Sequence, residues 1–402
     1  MLEASPAPEL PADSIDAVIA WLVDGARSAA QAQDVLTELC ARLVDCDVPL
    51  WRVAVYVNTL HPHVMARRFV WRPGEAATVE EASFELANDR NFLASPIARI
   101  RASGETIRRR LADPDCPIDF DVLAEMRADG GADYLALPLR FTNGEVHAAT
   151  FATRQPGGFG EPQVRALERV APALARVAEV RALRRTAINL LDAYVGRNAG
   201  ERILAGRIRR GDVETIRAVI WLSDMRGFTK LADSQSPKAL MGVLNTFFDC
   251  LVPAIEQAGG EVLKFIGDGL LAIFHIGESA DVGEVCARAL GAAKLAKREI
   301  EGLAPVGDAA APTRLRFGLA LHVGEVLYGN IGAGSRVDFT CIGPAVNMAA
   351  RLEKVAARLG RSIVGSAAFA QRLPEDFAEL GAFELAGFRG AETVFGLRDC
   401  AD

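Results

Sequence analysis

The 402-residue sequence lacks several features that would assign it to a specialised class of protein. It has seven scattered cysteines without CxxC spacing, which argues against a zinc ribbon or a disulfide framework and favours free thiols in a reducing compartment. Its N-terminus, Met1-Leu-Glu-Ala-Ser-Pro, is acidic and contains proline, unlike a signal peptide. No apolar run approaches the roughly 18 residues that span a bilayer. The sequence therefore predicts a cytoplasmic protein without a membrane partner.

The charge balance excludes a strongly basic protein. Lys and Arg number 45 against 52 Asp and Glu, which gives a formal net charge of −7. An acidic chain of this kind gives no support for a nucleic-acid partner. Half of the residues are hydrophobic and 24% are charged, as in ordinary globular proteins. At about 100–200 residues per domain, the length predicts two or three domains.

The first candidate site lies in the segment Arg217–Thr229. Its apolar run, Ala218–Leu222, predicts a buried strand. Asp224 follows this strand closely, where the chain turns into a predicted helix. A carboxylate beside the backbone N–H groups of a helix start can hold a cation and phosphate oxygens together. A lone Asp after a strand is, however, usually a helix cap.

A second acidic residue lies at the tip of a predicted hairpin. Val262–Ile266 and Leu270–Phe274 are apolar strand candidates joined by Gly267-Asp268-Gly269. Alone, Asp268 would be a turn former. If the hairpin pairs beside the first strand, Asp224 and Asp268 converge at one edge of the sheet. Two carboxylates there suit a pair of Mg²⁺ ions.

Three motifs in this half of the chain resemble the successive signatures of the class III nucleotidyl cyclases. They are SDMRGFT at 223–229, LKFIGD at 263–268 and DFTCIGPAVNMAARLE at 338–353. The resemblance covers roughly residues 190 to 398. It implies an α+β protein whose residues 211–402 form a ferredoxin-like, split βαβ cyclase domain.

The further elements of this domain are predicted from capping and apolar patterns. Ser236-Pro237 is a cap and first turn, and Asp281 begins a second helix. We predict helices at about Ser236–Ala258 and Asp281–Leu303, and two strands, Leu315–His322 and Glu325–Ile331, around Gly324.

The resemblance implies conversion of ATP to 3′,5′-cyclic AMP and pyrophosphate. Asp224 and Asp268 would hold two Mg²⁺ or Mn²⁺ ions per site. Asn347 and Arg351, four residues apart on one helix face, would orient the ribose and stabilise charge on the α-phosphate. The predicted phosphate-binding residues are Met225, Arg226, Gly227, Phe228, Thr229, Arg336 and Arg389. A plain surface role for Arg351, paired with Glu353 or on a Lys-flanked surface, is the alternative.

Lys264 and Thr340 are the predicted base-recognition residues. A Lys can donate to adenine N1, and a Thr hydroxyl can donate or accept near N6. In the family a Lys–Asp pair is the common adenine reader, whereas guanylyl cyclases use Glu and Cys. Thr340 in place of Asp resembles the class IIIb subgroup. We expect ATP as substrate, with a guanylyl cyclase or a silent nucleotide-sensing module as alternatives; a diguanylate cyclase is disfavoured by the Ile-Gly-Asp-Gly turn.

The family geometry also implies a homodimer. The metal carboxylates of one chain would face Lys264, Thr340, Asn347 and Arg351 of the other. A dimer would then have two equivalent composite sites, and a monomer would have none.

The N-terminal part is predicted to be regulatory. Residues 1–12 predict a disordered tail, and residues 13–160 resemble a GAF-type sensory domain, with a helix over Ile15–Leu43 and a hairpin around Asn143-Gly144. The resemblance implies an unknown small-molecule or protein regulator. His61 and His63 are interpreted as a surface turn rather than a metal site.

Residues 161–210 are predicted to be a helical linker. Apolar residues at spacings of three and four resemble a coiled-coil seam: Leu167, Val170, Leu174, Val177, Ile188, Leu191 and Val195. Arg181 and Arg184 interrupt this seam, and Pro172 is expected to kink its first half. A solvent-facing amphipathic helix is the alternative.

Overall fold

The computed structural model describes residues 12–59, 64–83, 85, 89–307, 312–334 and 336–398. His61, His63, Cys400 and residues 1–11 of the predicted tail lie outside these ranges, whereas Ala12 begins the first helix. The other six cysteines are free thiols, as predicted. The chain divides between Leu190 and Leu191 into two compact units.

The N-terminal unit has a six-stranded antiparallel sheet with helices on both faces. Its strand order is β3-β2-β1-β6-β5-β4. The elements are α1 (Ala12–Val23), α2 (Ala32–Asp45), β1 (Arg52–Asn58), β2 (Ala66–Trp71), β3 (Thr78–Ala82), α3 (Arg90–Leu93), α4 (Pro96–Ser103), β4 (Ile107–Arg109), α5 (Asp121–Ala128), β5 (Asp133–Arg140), β6 (Val146–Thr153) and α6 (Glu161–Val195).

Successive side chains of each strand point to opposite faces of the sheet, so the unit has two hydrophobic cores, one on each face. Leu135 and Leu137 of β5 pack on the side of α1, α2 and α6, whereas Tyr134 and Ala136 pack on the side of α4 and α5. The predicted hairpin around Asn143-Gly144 is confirmed as β5–β6. The GAF-like assignment stays a prediction.

The predicted continuous helix Ile15–Leu43 is wrong, because two helices occupy this range. The chain turns at Gly25 and Ala26, whose φ angles are +87° and +48°. These left-handed conformations cannot continue a right-handed helix.

The linker prediction also needs correction in its first half. Leu167, Val170, Leu174 and Val177 are between 0 and 6% exposed and belong to the core of the N-terminal unit. These side chains therefore pack in the core of the N-terminal unit and do not form the predicted coiled-coil seam. Helix α6 continues unbroken through Pro172 and ends at Val195, which belongs to the second unit.

The C-terminal unit has an eight-stranded mixed sheet. Its order is β13-β14-β12-β10-β7-β9-β8, and β11 pairs with β10. The elements are α7 (Arg197–Leu204), β7 (Val213–Met225), α8 (Phe228–Ser234), α9 (Pro237–Gln257), β8 (Glu261–Ile266), β9 (Gly269–Ile276), α10 (Val282–Gly302), β10 (Phe317–Ala333), β11 (Arg336–Ile342), α11 (Pro344–Leu359), β12 (Ile363–Ser366), α12 (Ala367–Ala370), β13 (Phe377–Glu384) and β14 (Ala391–Leu397).

The predicted Ser236 cap and the predicted start of the second helix near Asp281 are confirmed. The Ser236 hydroxyl accepts a hydrogen bond from Ala239 N at the start of α9, and the Asp281 carboxylate accepts one from Gly283 N at the start of α10. Both helices pack on one sheet face, around Val219, Trp221 and Phe274. Helix α11 packs on the other face. The ferredoxin-like layout stays a prediction.

Gly324 does not separate two strands, contrary to the prediction. Strand β10 continues through it and pairs with β7 from Phe317 to Gly329. A Cβ at Gly324 would lie 2.6 Å from the Ala345 Cβ. Glycine here therefore allows the start of α11 to approach the strand.

Contrary to the sequence prediction, helix α9 is long and apolar enough to span a bilayer, by length and composition alone. Among the described residues, it alone passes a test of length and composition for a membrane-crossing helix. A core helix of a soluble protein passes the same test, and Phe247, Leu251 and Ile255 of α9 are fully buried in the core.

Candidate active site

The two predicted metal carboxylates lie together. Strand β7 pairs with β9 so that Asp224 is opposite Gly269, directly beside Asp268 at the hairpin tip. The backbone N–H of Met225 donates to the Asp268 carbonyl oxygen at 3.2 Å. Convergence of Asp224 and Asp268 at one edge of the paired strands, as predicted from sequence, is what the structure shows.

The turn between β8 and β9 depends on its glycines. Gly267 has a φ of +62°, in the left-handed region. A Cβ at Gly269 would lie 2.3 Å from the Ser223 carbonyl oxygen. The Gly-Asp-Gly sequence therefore lets the tip of the hairpin lie close against β7, and this close approach brings Asp268 to Asp224.

The surroundings of Asp224 are unfavourable to its negative charge. Burial, followed by a hydrogen bond with Asp268 and the charge of that residue, raises the pKa of Asp224 to about 7. The Glu353 carboxylate raises the pKa further, and the Arg226 guanidinium acts in the opposite direction. A cation between Asp224 and Asp268 would relieve this repulsion.

The donor set fits Mg²⁺ or Mn²⁺ when nucleotide supplies the remaining ligands. Within the described ranges, no group of three or more His, Cys, Asp and Glu side chains could hold a metal by itself. Mg²⁺ usually binds through one or two carboxylates together with substrate phosphates and water. Asp224 and Asp268 provide this kind of partial site.

Two of the predicted phosphate contacts are wrong as backbone donors. The N–H of Arg226 donates to the Arg316 carbonyl oxygen at 2.9 Å, and that of Met225 is paired with Asp268. Gly227, with a φ of +80°, redirects the chain into α8. Phe228 and Thr229 lie in the first turn of α8, where N–H groups have no acceptor within the helix. Gly227, Phe228 and Thr229 therefore remain the candidates.

The Arg226 side chain connects the turn to α11. Its Nη1 is paired with Glu353, a buried residue. The guanidinium passes over Gly318, where a Cβ would lie 1.6 Å from Nη2. Glu353 pairs with Arg226 and Arg351 donates to a backbone carbonyl oxygen, so the Arg351–Glu353 pairing in the alternative interpretation is wrong. The sequence did not single out this Arg226–Glu353 pair.

Asn347 and Arg351 lie one turn apart on α11, as predicted. Asn347 is exposed, and Arg351 Nε donates to the Ala386 carbonyl oxygen at 3.1 Å. Ala386 belongs to the loop between β13 and β14 that also contains Arg389. The structure therefore brings the loop of Arg389 to Arg351, with the Arg389 side chain exposed.

The base-recognition candidates occupy neighbouring strand positions. Lys264 Nζ contacts Asp338 Oδ2 at 2.7 Å. Thr340 lies two residues beyond Asp338 on β11, on the same face by strand alternation. Its hydroxyl is buried and has no hydrogen-bond partner within the described part of the chain. Asp338 was missed from the sequence, although its spacing from Thr340 could have identified it.

Strand β10 connects the two parts of the candidate site. Asp224 is opposite Gly318, near the beginning of β10. Thr340 is opposite Gly329, and Arg336 is opposite Ala333 at the end of the strand. The carboxylates and the base-recognition residues of β11 therefore adjoin different parts of β10. Arg336 is exposed beside the hairpin end, away from Asp224 along the strand.

A family comparison decides the class of this site. Residues 213–398 match the adenylate and guanylate cyclase catalytic domain. This match supports a class III nucleotide cyclase catalytic domain over these residues.

Proteins and solved structures similar to this domain carry the names adenylate cyclase or guanylate cyclase. The chain is 33% identical to an adenylate cyclase of Anabaena cylindrica over 173 residues, 42% of this chain and 34% of that protein. It thus spans about a third of the length of the curated relatives it matches. Among solved structures, the adenylyl cyclase CyaB from P. aeruginosa has a TM-score of 0.40 and 21% identity, covering 47% of this chain and 97% of that chain.

The guanylate cyclase domain of RhGC from Catenaria anguillulae has a TM-score of 0.39 and 21% identity, covering 46% of this chain and 97% of that chain. At these TM-scores, the two structures do not decide the substrate of this cyclase domain.

Proposed function

We propose that the protein is an adenylyl cyclase that converts ATP to 3′,5′-cyclic AMP and pyrophosphate. The observation that carries the choice of ATP is the contact between Lys264 and Asp338, with Thr340 beside it. On the base edge that Lys264 and Asp338 would contact, adenine has an acceptor at N1 and a donor at N6. Guanine has the opposite pattern, with a donor at N1 and an acceptor at O6.

The side chains match the adenine pattern. Lys264 is a donor for N1, and the Asp338 carboxylate is an acceptor for the N6 amino group. The same carboxylate would repel guanine O6. A Thr hydroxyl alone both donates and accepts, so Thr340 can serve either base. The name of the Anabaena relative, adenylate cyclase, is consistent with this assignment.

The chain's own groups account for substrate positioning. Asp224 and Asp268 would hold two Mg²⁺ or Mn²⁺ ions, which when bound supply Lewis-acid activation of the 3′-hydroxyl and neutralise the phosphate charge. Asn347 orients the ribose. Arg351 stabilises the charge that develops on the α-phosphate as the new bond forms and pyrophosphate leaves. These roles require Arg351 to exchange the Ala386 carbonyl oxygen for phosphate.

The start of α8 completes the phosphate contacts. The N–H groups of Gly227, Phe228 and Thr229 would donate to a triphosphate at the positive end of the helix. Arg336 and Arg389 are exposed and can add charge from the surface. We propose both as additional phosphate contacts.

The active form is a homodimer in this proposal. The carboxylates of one chain serve the base-recognition residues, Asn347 and Arg351 of the other. Support comes from the strand register, which attaches Asp224 and Thr340 to different parts of β10. The N-terminal unit is regulatory, and the protein works in the cytoplasm.

Product analysis tests the proposed activity. Purified full-length protein receives ATP or GTP with Mg²⁺ or Mn²⁺, and cyclic nucleotide and pyrophosphate are measured. We expect cyclic AMP from ATP and a loss of at least about 100-fold in Asp268→Ala, since that change removes a metal carboxylate. Asp376→Asn is the matched control, because Asp376 pairs with Lys294 outside the site at 2.6 Å. Cyclic GMP as the main product would contradict the proposal.

A further inference from the structure

A cavity of about 360 Å³ lies inside the N-terminal unit, separate from the cyclase site. It is bounded by the start of α2, by strands β1 to β3 and by the middle of α6. Its wall is mostly apolar and includes Leu36, Val55, Val57, Phe69, Leu174 and Ile188. Its volume is at the small end of the range of about 300–1,000 Å³ for ligand pockets.

The charged groups around this cavity have one sign. Its wall includes Arg67, Arg181, Arg184 and Arg185 but no Asp or Glu. Arg67 is paired with Glu81, and Arg181 donates to backbone carbonyl oxygens of the loop between α1 and α2. Arg184 and Arg185 are exposed, and neither has an acceptor among the described residues. The cavity therefore combines an apolar wall with uncompensated positive charge.

Two buried polar atoms of residues that line the cavity also lack hydrogen-bond partners. Arg67 Nε and Asn58 Oδ1 are buried, and neither has a hydrogen-bond partner within the described chain. A buried group left without a partner costs about 1–3 kcal/mol, so such groups call for an explanation in a folded protein. An anionic head group would satisfy the Arg67 donor, and a hydroxyl on the ligand would satisfy Asn58.

We propose that this cavity binds a small amphipathic carboxylate. The apolar body lies against the aliphatic wall, and the carboxylate faces Arg67, Arg184 and Arg185. Guanidinium groups bind carboxylates through charge-assisted hydrogen bonds. A cationic ligand is disfavoured, because no acidic side chain lines the wall. A purely apolar ligand would leave the buried Arg67 Nε without an acceptor.

Binding at this place would act on one helix in particular. Eight of the wall residues belong to α6: Leu174, Val177, Ala178, Arg181, Ala182, Arg184, Arg185 and Ile188. The same helix continues to Val195, beyond the division between the two units. A bound carboxylate would neutralise charge on α6 and fill the space beneath it, so it would stabilise the helix where the two units are joined.

Calorimetric titration with decanoate tests the proposal on the full-length protein. We expect one decanoate per chain and an affinity reduced at least about tenfold in the double variant Arg184→Gln/Arg185→Gln. Arg165→Gln is the matched control, since Arg165 is exposed on the same helix and does not line the cavity. Decan-1-ol and decylamine carry the same apolar chain without the carboxylate and should bind at least about tenfold more weakly.

A second variant tests the cavity itself. Ala178→Leu fills part of the space and should weaken decanoate binding while the thermal unfolding transition remains cooperative. No heat with decanoate, equal binding of decan-1-ol, or unchanged affinity in both the Arg and the Ala178 variants would overturn the proposal. Binding to phosphatidylglycerol vesicles without binding to monomeric decanoate would also overturn it, because a membrane surface would then be the ligand.

Discussion

At the scale of single residues, the candidate site contains an aspartate, Asp224, whose negative charge is destabilised by its neighbours. Partial burial and the neighbouring Asp268 raise the pKa of Asp224 to about 7. Arg226, paired with Glu353, is the compensating cation on the protein. Metal and nucleotide binding would supply the rest of the compensation. This charge arrangement is the one expected if metal and nucleotide bind there together, as the proposed function requires.

His322 makes the stability of the cyclase domain depend on pH. Its Nδ1 lies 2.8 Å from the Ser366 hydroxyl, which also accepts from Phe369 N. Burial lowers the pKa of His322 to about 4. Between the ordinary value of 6.5 and about 4, the unfolded chain binds the extra proton. Stability should fall as pH falls through this window, by at most about 3 kcal/mol.

Denaturant unfolding of the wild type and of His322→Asn checks this prediction. The variant should lose part of the decrease in unfolding free energy between about pH 7 and pH 4.5. His275→Asn, at an exposed position, is the control and should keep the wild-type pH dependence. An identical pH dependence in all three proteins would show that His322 is not the group responsible.

Individual site residues could be predicted from sequence where a local pattern decides their position. Asp224 follows an apolar strand, and Asp268 lies in a Gly-Asp-Gly turn, so adjacent pairing brings them together. Asp338 and the Arg226–Glu353 pair were missed, because the partner of a charged side chain depends on which distant strands and helices meet. The backbone N–H groups of Met225 and Arg226 were misassigned for the same reason.

At the scale of elements, α11 and β10 together position the predicted catalytic residues. Helix α11 carries Asn347 and Arg351, and its first turn lies against Gly324 of β10. The sequence predicted two separate strands around Gly324. Its role is instead to leave space for Ala345, which only the packing of α11 reveals. Likewise, the apolar spacing in α6 predicted a helix correctly but not the core against which it packs.

Gly324→Ala tests this close approach. The added Cβ would lie 2.6 Å from the Ala345 Cβ and 3.0 Å from His322 Nε2. Overpacking of this kind should reduce the unfolding free energy by about 1–3 kcal/mol and lower cyclase activity by moving α11. Thermal and denaturant unfolding measure the first effect, and a product assay measures the second.

The matched change is Gly291→Ala, on the exposed side of α10, where a Cβ meets nothing within 4 Å. Alanine is the better helix former there, so stability should stay the same or rise by up to about 1 kcal/mol. Equal effects of the two substitutions would contradict the assigned role of Gly324.

At the scale of the whole molecule, the proposed site is divided between two copies of the chain. Asp224→Ala and Asn347→Ala proteins should each be inactive alone, because each lacks one half of every site. Mixing them should restore part of the activity, since a mixed dimer contains one intact composite site. Cyclic AMP formation after mixing is the measurement, with each variant alone at the same total concentration as control. Continued inactivity despite demonstrated chain exchange would argue against the divided site.

The central claim is that this cyclase domain selects ATP through Lys264 and Asp338. The most direct measurement is kcat/KM for ATP and for GTP, on full-length wild type, Asp338→Asn and Asp376→Asn. We expect the wild type and Asp376→Asn to prefer ATP. Asp338→Asn should lose about 10- to 100-fold of that preference, because an amide can accept from adenine N6 or donate to guanine O6. A wild-type preference for GTP, or an unchanged ratio in Asp338→Asn, would contradict the claim.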